Sequence, residues 1–321
     1  MNRTEKIVSV RRLDLRWQLA AMGLALLLLW SVRSANSAET NTPGEPVIFR
    51  VGMAKTSFHD VNHNDAAAAF RAFLETEGRN YGYKFVSNVQ IFDDTPSFEA
   101  AIQQEPISLM VMDTWQYLRM DIHPQVKPFF TISENGKVGR RYLVLTRRDS
   151  GLQTLADLRG KAIIKLETAS ENVGEHWFET ELLAGHLGRP EKFFTSIEVV
   201  PKPTAAVLPV FFGKIPACVV DEASFDVMKE LNPQVGEALQ VVAASETYYS
   251  IVICLSDRGW ATDHGKADTI KALNEMPLTP AGQQILDLFK LDKFVPIDEA
   301  QLLPVQKLRA AYTALRKESS P

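Results

Sequence analysis

Two hydroxyl side chains stand where a bound anion could be held. Thr168 and Ser170 precede an amphipathic stretch, Asn172–Leu187, that is typical of a helix. Free backbone N–H groups and the positive end of the dipole at a helix start attract an oxyanion, and nearby hydroxyls can add hydrogen bonds. The same residues could equally serve as an ordinary N-cap. Asn172 completes this candidate binding turn, whereas the Glu171 carboxylate in it would oppose an anion.

A single carboxylate follows the apolar stretch Ala217–Val220, which is typical of a buried strand. Asp221 at that position suits pairing with an amine or a hydroxyl group of a ligand. It could equally be the N-cap of a helix starting near Ala223, because Asp is a preferred capping residue. The sequence leaves both interpretations open.

A His pair invites a metal-site interpretation that the surrounding residues do not support. His59 and His63 are four residues apart, but a zinc protease needs Glu after the first His, where the chain has Asp60. A calcium loop fails as well, because Asp65 stands where Gly is required. Helix capping and loop polarity explain the stretch better. Since no nucleophile elbow, phosphate loop or dinucleotide fingerprint occurs, we expect a protein without catalysis, metal or cofactor.

Short apolar runs alternate with amphipathic stretches in two successive series, which predicts α/β sheets covered by helices. The first series covers residues 47–120 and the second residues 162–231. Between them, the turn-rich segment 133–139 predicts a crossing between two lobes. The helices predicted after residue 255 have no sheet of their own, so a strand predicted over 247–255 must return the chain to the first lobe.

We therefore predict a two-lobed α/β fold, in which each lobe is a mixed sheet flanked by helices and two hinge strands join the lobes. Residues 47–139 with 250–321 form lobe 1, and residues 140–249 form lobe 2. Ligands of open α/β sheets bind beyond the carboxyl ends of the strands. This rule points to Lys55 and Thr56 after the first strand and to Asp113 after the third.

Composition and the amino terminus restrict the class of protein and its location. The chain has 321 residues, 45% hydrophobic and 23% charged, and its net charge is −4 with dispersed basic residues, which disfavours nucleic-acid binding. A basic start, a long uncharged run and small residues up to Ala38 are typical of a cleaved export signal over residues 1–38. No Cys precedes Cys218, so no lipid anchor is expected at the cleavage site. Cys218 and Cys254 are expected to be buried free thiols in different lobes.

The most specific segment of the chain is residues 142–161, YLVLTRRDSGLQTLADLRGK, which reads as a strand, an Asp-Ser-Gly turn and a Gly-Lys step into the next strand. It resembles the PhnD-like, phosphate/phosphonate-type substrate-binding proteins of ABC transporters, which are type II periplasmic binding proteins. Residues 204–221, a helix, a Gly and an apolar strand ending in Asp, support the same resemblance. The resemblance implies two lobes that close on a ligand about a hinge.

The resemblance also implies ligand-binding residues. Members of this family contact the ligand with aromatic hydroxyls, and Tyr117 and Tyr142 occupy the matching positions. Many members place a His before the next helix to bind the anionic head group, where this chain has Lys202 and Thr204. Glu171 stands in a turn that usually reads Ser-x-Ser-Gly. These departures leave the chemistry of the ligand open.

The expected function is that of a periplasmic solute-binding protein, a monomer that delivers a small polar ligand to an inner-membrane ABC permease. The family default is an oxyanion such as phosphate or phosphonate. The alternative is a zwitterionic or amine-bearing solute held by Asp221 and Glu171. A protein of the same fold could also present its ligand to a membrane sensor kinase or chemoreceptor.

Overall fold

The computed structural model describes residues 47–57, 61–120, 122, 125–167, 173–260 and 262–318. The predicted export signal and the candidate turn 168–172 lie outside these residues. The described strands are β1 (Val47–Ala54), β2 (Phe85–Phe92), β3 (Leu109–Asp113), β4 (Val126–Glu134), β5 (Lys137–Val138), β6 (Tyr142–Arg147), β7 (Ala162–Leu166), β8 (Ser196–Val200), β9 (Ala217–Asp221), β10 (Leu239–Ala244), β11 (Ile251–Ser256) and β12 (Lys293–Pro296).

The described helices begin with α1, which covers His63–Asn80. They continue with α2 (Thr95–Gln104), α3 (Thr114–Arg119), α4 (Val173–Ala184), α5 (Pro190–Phe193), α6 (Pro203–Phe211), α7 (Glu222–Leu231), α8 (Pro233–Ala238), α9 (Gly265–Glu275), α10 (Pro280–Phe289) and α11 (Leu303–Glu318). Short 3-10 helices cover Lys55–Ser57, Arg148–Ser150, Leu155–Leu158, Met276–Leu278 and Glu299–Leu302. Within the part of the chain that the structure describes, no helix is both long and apolar enough to cross a membrane.

The strands form two mixed sheets, which confirms the predicted α/β fold class. The first sheet has seven strands in the order β12-β4-β11-β3-β1-β2, with β5 attached to β4. The second has five strands in the order β10-β6-β9-β7-β8. Each sheet contains both parallel and antiparallel pairs, for example β1–β3 and β11–β3 in the first sheet and β7–β9 and β6–β9 in the second.

The cores follow from the alternation of side chains along each strand. In β3, Leu109 and Val111 belong to a core under α1, whereas Met110 and Met112 face the opposite side of the sheet. Tyr142 of β6 shares that opposite core, although β6 belongs to the second sheet. One apolar cluster is therefore continuous between the two sheets, and residues of α3, α4 and α11 complete it.

Two extended segments carry the chain between the sheets, one between β5 and β6 and the other between β10 and β11. They are joined where the N–H of Arg140 donates to the carbonyl of Tyr248 at 2.7 Å and the N–H of Tyr248 donates back at 2.8 Å. Gly139 lies in this crossing with a φ of 78°. A Cβ there would lie 2.9 Å from the Tyr248 carbonyl oxygen, so only glycine fits the close approach.

The structure decides two local predictions and adds one strand that the sequence did not predict. The strand predicted over 247–255 begins at Ile251, because the preceding residues pair with the first crossing and not with a sheet. The edge strand β12 (Lys293–Pro296) was not predicted from the sequence, because four residues are too few for a periodic pattern and pairing with β4 defines them. The helix-capping interpretation near His63 is confirmed, since the side chain of Asn62 accepts from the N–H of Asn64 at 2.9 Å.

The last helix contacts the helices of both sheets. In α11, the Tyr312 ring lies edge-on to His176 of α4, and the Arg316 Nε donates to Glu179 of α4 at 2.8 Å. Trp115 of α3 lies edge-on to the same Tyr312 ring. The segment 250–321, predicted to belong to lobe 1, therefore ends in a helix that also packs on the second sheet's helical layer.

Candidate functional site

A cleft of about 600 Å³ lies between the two sheets and beside the two crossings. The first sheet contributes side chains at the carboxyl ends of β1 and β3, the second contributes the end of β9 and the start of α7, and the crossings form the floor. This is the place where open α/β sheets bind ligands. The polar lining side chains are Thr56, Ser57, Asp113, Thr131, Glu134, Asn135, Lys137, Arg140, Arg141, Asp221, Glu222, Ser224, Thr247, Ser250 and Lys290.

The carboxylate at the end of β3 is held in place from two directions. Asp113 is 4% exposed and caps α3, accepting from the N–H of Gln116 at 2.7 Å. The Thr56 hydroxyl donates to its other oxygen at 2.9 Å. Both residues were predicted from the sequence to lie at strand ends near a ligand, and the structure brings them together in the cleft wall.

Asp221 stands opposite, at the end of β9. It caps α7, because one carboxylate oxygen accepts from the N–H of Ser224 at 2.8 Å and the other from the Ser224 hydroxyl at 2.7 Å. The structure therefore supports the capping interpretation, and it also places Asp221 in the cleft lining. Its carboxylate is oriented by the same hydrogen bonds that begin the helix.

Two basic side chains of the cleft, Arg140 and Arg141, come from the first crossing, and sequence reasoning missed them. Arg140 pairs with Glu134 at 2.6 Å, and Arg141 pairs with Glu222 at 3.1 Å. Burial alone would lower the pKa of Arg140, but the Glu134 carboxylate reverses this and raises it above its ordinary value. Their signal in the sequence was position alone, since two adjacent arginines follow the turn-rich segment that predicted the crossing.

Three other predicted residues lie outside the cleft lining. Lys55 is exposed and pairs with Asp93 at 2.8 Å, which lowers the pKa of that carboxyl group. Tyr117 is buried, where its hydroxyl donates to Glu299 at 3.2 Å, and burial raises its pKa. Thr204 is exposed in the first turn of α6, although its neighbour Pro203 reaches the cleft.

Tyr142 takes an intermediate position. Its ring is 2% exposed and stacks on Trp177, with centroids 6.2 Å apart. The ring also fills the space above Gly174, where a Cβ would come within 2.4 Å of it. Tyr142 lines a small side cavity together with Asp221 and Lys165. This tyrosine is therefore a core residue that lies next to the cleft residue Asp221.

The candidate turn Thr168, Ser170, Glu171 and Asn172 lies outside the described residues. Its flanks are described, and they carry an ion pair between Lys165 at the end of β7 and Glu175 in the first turn of α4. The prediction for the two cysteines is confirmed, since Cys218 in the second sheet and Cys254 in the first are buried free thiols. Burial raises the pKa of both thiols.

The sequence model of one protein family matches residues 57–302, well over half of the chain. That family is described as the phosphonate ABC transporter, periplasmic substrate-binding protein. A comparison with proteins of curated function gives no match.

Solved structures of the same bilobal type superpose on the chain. XAC2383 from Xanthomonas citri, bound to ATP, has a TM-score of 0.60 at 15% identity and covers 85% of this chain and 99% of its own. A binding component of a phosphonate ABC transporter from Pseudomonas aeruginosa has a TM-score of 0.55 at 13% identity, covering 86% and 90%. PhnD1 from Prochlorococcus marinus, in complex with methylphosphonate, has a TM-score of 0.55 at 11% identity, covering 84% and 99%. The TM-scores establish a shared fold with these proteins.

Two mixed sheets with a polar cleft between them define a type II periplasmic binding protein, as the sequence predicted. The chain belongs to the family of phosphonate ABC transporter periplasmic substrate-binding proteins. Its members are solute-binding components of ABC transporters and not catalysts, and membership implies a small-molecule ligand and a membrane permease as partners.

Proposed function

We propose that the protein captures a small phosphonate-type oxyanion in the cleft and delivers it to an ABC permease. The observation that carries this proposal is the convergence of polar side chains from both sheets and from the crossings on one cleft of about 600 Å³. Cavities of this size hold small-molecule ligands in many proteins. The description of the family supports a phosphorus oxyanion as the ligand.

Arg141 is the side chain best placed to bind the anionic head group. Its guanidinium lines the cleft, its side chain is 44% exposed, and one nitrogen pairs with Glu222 while Nε donates to the Ser245 carbonyl at 3.0 Å. Guanidinium presents five N–H donors, so donors remain for a bidentate contact with an oxyanion. Arg140, by contrast, is held by Glu134 within the crossing.

The charge balance of the lining favours a second candidate, a phosphonate or other solute that also carries an amino group. Among the residues that the structure describes, four basic and four acidic side chains line the cleft. The basic ones are Lys137, Arg140, Arg141 and Lys290, and the acidic ones are Asp113, Glu134, Asp221 and Glu222. A balanced lining suits a ligand that carries both signs of charge.

Capture follows from closure of two lobes about the crossings. We assign lobe 1 to residues 47–139 with 250–321 and lobe 2 to residues 140–249, and α11 contacts both. A ligand that touches both walls shifts the population toward the closed arrangement, because it binds that arrangement better. We also propose export with cleavage near Ala38, supported by the amino-terminal sequence and by the periplasmic description of the family.

The test is a thermal-shift screen of the protein purified from the periplasmic fraction. Probes are methylphosphonate, phosphate, phosphite, 2-aminoethylphosphonate, an alkylsulfonate and a diamine. A ligand at about 100 times its Kd stabilises the fold by roughly 2.7 kcal/mol, which a melting curve resolves. A shift with methylphosphonate supports the leading candidate, and shifts confined to amine-bearing probes support the second.

A matched pair of variants locates the binding site. Arg141→Met is expected to weaken binding of the anionic probe by about tenfold or more, because a charged hydrogen bond contributes about 1.5 to 3 kcal/mol. Arg148→Met is the control, since Arg148 lies at the far end of β6 and donates to the Glu237 carbonyl outside the cleft. Equal affinities in the two variants would remove Arg141 from the site.

A further inference from the structure

One ion pair joins the first sheet to the helical layer of the second at the edge of the cleft. Lys137 lies on β5, which pairs with β4 of the first sheet. Asp226 lies on α7, the helix that follows β9 of the second sheet. The Lys137 ammonium contacts the Asp226 carboxylate, and the two side chains are 45% and 32% exposed.

The backbone that carries Lys137 is anchored to the first sheet. Asn135 and Gly136 form the turn before it, with φ of 51° and 73°. Asp292, beside β12, accepts from the N–H of Gly136 at 2.7 Å and from the Ser133 hydroxyl at 2.9 Å. The hairpin therefore moves with the first sheet, and its ammonium reaches Asp226 only when α7 is near.

The same carboxylate has a second cation that does not join the sheets. Lys229 pairs with Asp226 at 2.7 Å from one turn further along α7, so this pair persists however the two sheets are arranged. The Lys137 ammonium, in contrast, reaches α7 from the first sheet. Its hydrogen bond to Asp226 raises its pKa, and the charges of Asp226, Glu222 and Asp221 add to that effect. Of the two lysines that pair with this carboxylate, Lys137 makes the contact that crosses the cleft, whereas Lys229 belongs to the same helix as Asp226.

We propose that Lys137 is a positioning residue for ligand capture, and that its contact with Asp226 favours the arrangement in which the two lobes approach each other at the cleft. The proposal rests on the lobe closure of the proposed function. Opening the cleft separates β5 from α7 and breaks this contact, so the contact stabilises only the closed arrangement. Ligand and ion pair then act on the same equilibrium.

The expected effect is modest because the pair is partly exposed. Such pairs change an equilibrium constant by about two- to fivefold. Removing the contact raises the open-to-closed ratio of the unliganded protein by that factor. It raises the dissociation rate of a ligand by a similar factor with little change in the association rate, because the ligand enters the open form.

The experiment measures the distance between the lobes without ligand, by pulsed EPR between spin labels at positions 293 and 234. Lys293 on β12 and Gln234 on α8 are exposed, whereas the native thiols Cys218 and Cys254 are buried, which keeps the labels on the introduced cysteines. Lys137→Gln is expected to increase the long-distance population two- to fivefold, and Lys137→Arg to retain the wild-type distribution.

Lys229→Gln is the matched control, and it should leave the distribution unchanged. The double variant K137Q/D226N should equal K137Q alone, since the second change removes a contact already lost. Wild-type distributions in K137Q, or the same opening in K137Q and K229Q, would overturn the proposal.

Adding methylphosphonate separates this proposal from the proposed function. If the probe binds, K137Q should release it two- to fivefold faster than K229Q, and equal release rates would overturn the proposal. If no probe binds, or if binding leaves the label distance of the wild type unchanged, the proposed function fails. The unliganded comparison of K137Q with K229Q still decides the role of Lys137.

Discussion

Two of the contacts between the halves of this molecule differ in chemistry. Behind the crossings, Trp115 of α3 stacks on His176 of α4 with ring centroids 3.8 Å apart, and Tyr312 of α11 lies edge-on to the same imidazole at 4.8 Å. At the cleft, Lys137 and Asp226 form a partly exposed ion pair. The first contact belongs to a continuous apolar core, whereas the second is a partly exposed ion pair whose carboxylate is shared with Lys229 of α7.

The difference in burial between the two contacts indicates which of them can respond to a ligand. The free energy gained by burying aromatic side chains is proportional to the area buried, and exposing these rings again costs several kcal/mol. The contact behind the crossings is therefore expected to persist while the cleft opens. An exposed ion pair contributes at most about 1 kcal/mol, so its loss on opening is within the range of ordinary thermal fluctuation. We therefore expect closure to pivot about the aromatic contact.

The largest expected effect comes from breaking the aromatic contact. Trp115 is 3% exposed, so Trp115→Ala should lower the free energy of unfolding by about 3 to 5 kcal/mol. It should also broaden the distance between the lobes, as measured by the label pair at positions 293 and 234. Urea denaturation measures the first quantity. Trp260→Ala is the control, because Trp260 packs against Phe49 away from the crossings and should not alter the distance. A loss below about 1 kcal/mol in Trp115→Ala would contradict the comparison.

A smaller effect is expected from the polar part of the same region. The Glu179 side chain is 14% exposed and accepts hydrogen bonds from Arg316 and Tyr312 of α11. Arg316→Met should therefore destabilise the protein by about 1.5 kcal/mol, because Glu179 loses its charged donor. Lys317→Met changes an exposed neighbour on the same helix and should be neutral. Equal unfolding curves for both variants would show that α11 is held by apolar packing alone.

The cleft side is probed by a pair of N-cap variants. Asp221→Ala removes the cap of α7, and Asp94→Ala removes the cap of α2, where the carboxylate accepts from the N–H of Ser97 at 2.8 Å. Each should cost about 1 kcal/mol of stability. Only Asp221→Ala should also weaken the binding of whichever probe the screen identifies, as isothermal titration would measure. Unchanged affinity in Asp221→Ala would show that Asp221 is a cap and nothing more.

The smallest expected effect is the pH dependence of the ion pair. Burial raises the pKa of Asp226, but the hydrogen bonds from Lys137 and Lys229 outweigh it, so the pKa is lowered below 3.8. A carboxyl group whose pKa is lower in the paired state than in the unpaired state stabilises pairing at any pH above its unpaired pKa. That contribution is lost as the pH falls through the pKa of the paired state. The distance between the lobes should thus be constant from about pH 9 to 5 and increase only below about pH 4.

Asp226→Asn is the control for that measurement. It has no titrating carboxylate at this position, so its long-distance population should already be increased at neutral pH and should show no further increase from this group at low pH. A wild-type transition near pH 6, or one that persists in Asp226→Asn, would assign the pH dependence to another group.

Sequence reasoning predicted much of the fold because its signals are local. Alternation of apolar strands with amphipathic helices predicted two mixed sheets, and the turn-rich segment at 133–139 marked the first crossing. Thr56, Asp113 and Asp221 were placed at the cleft by one topological rule, since each lies at or just beyond the carboxyl end of a strand. Strand ends are adjacent to their own strands in the chain, so their positions need no knowledge of tertiary contacts.

The basic side chains of the cleft and the edge strand β12 were not predicted from the sequence. Arg140 and Arg141 lie in an extended segment with no periodic pattern, and their role depends on Glu134 and Glu222, which other elements carry. For Lys55, the strand-end rule and the structure differ. It follows a strand as the rule requires, yet its flexible side chain reaches Asp93 and leaves the cleft.

By itself the sequence determined the fold class, the resemblance to a binding-protein family, the burial of the two thiols and the carboxylates at the strand ends. These properties depend on hydrophobic period, capping preference and neighbouring residues. Only the tertiary structure decided which charges face the cleft, that Tyr117 lies in the core, and that α11 contacts both helical layers. The physical reason is that an ion pair such as Lys137 with Asp226 joins residues 89 apart, and no local pattern encodes such a distance.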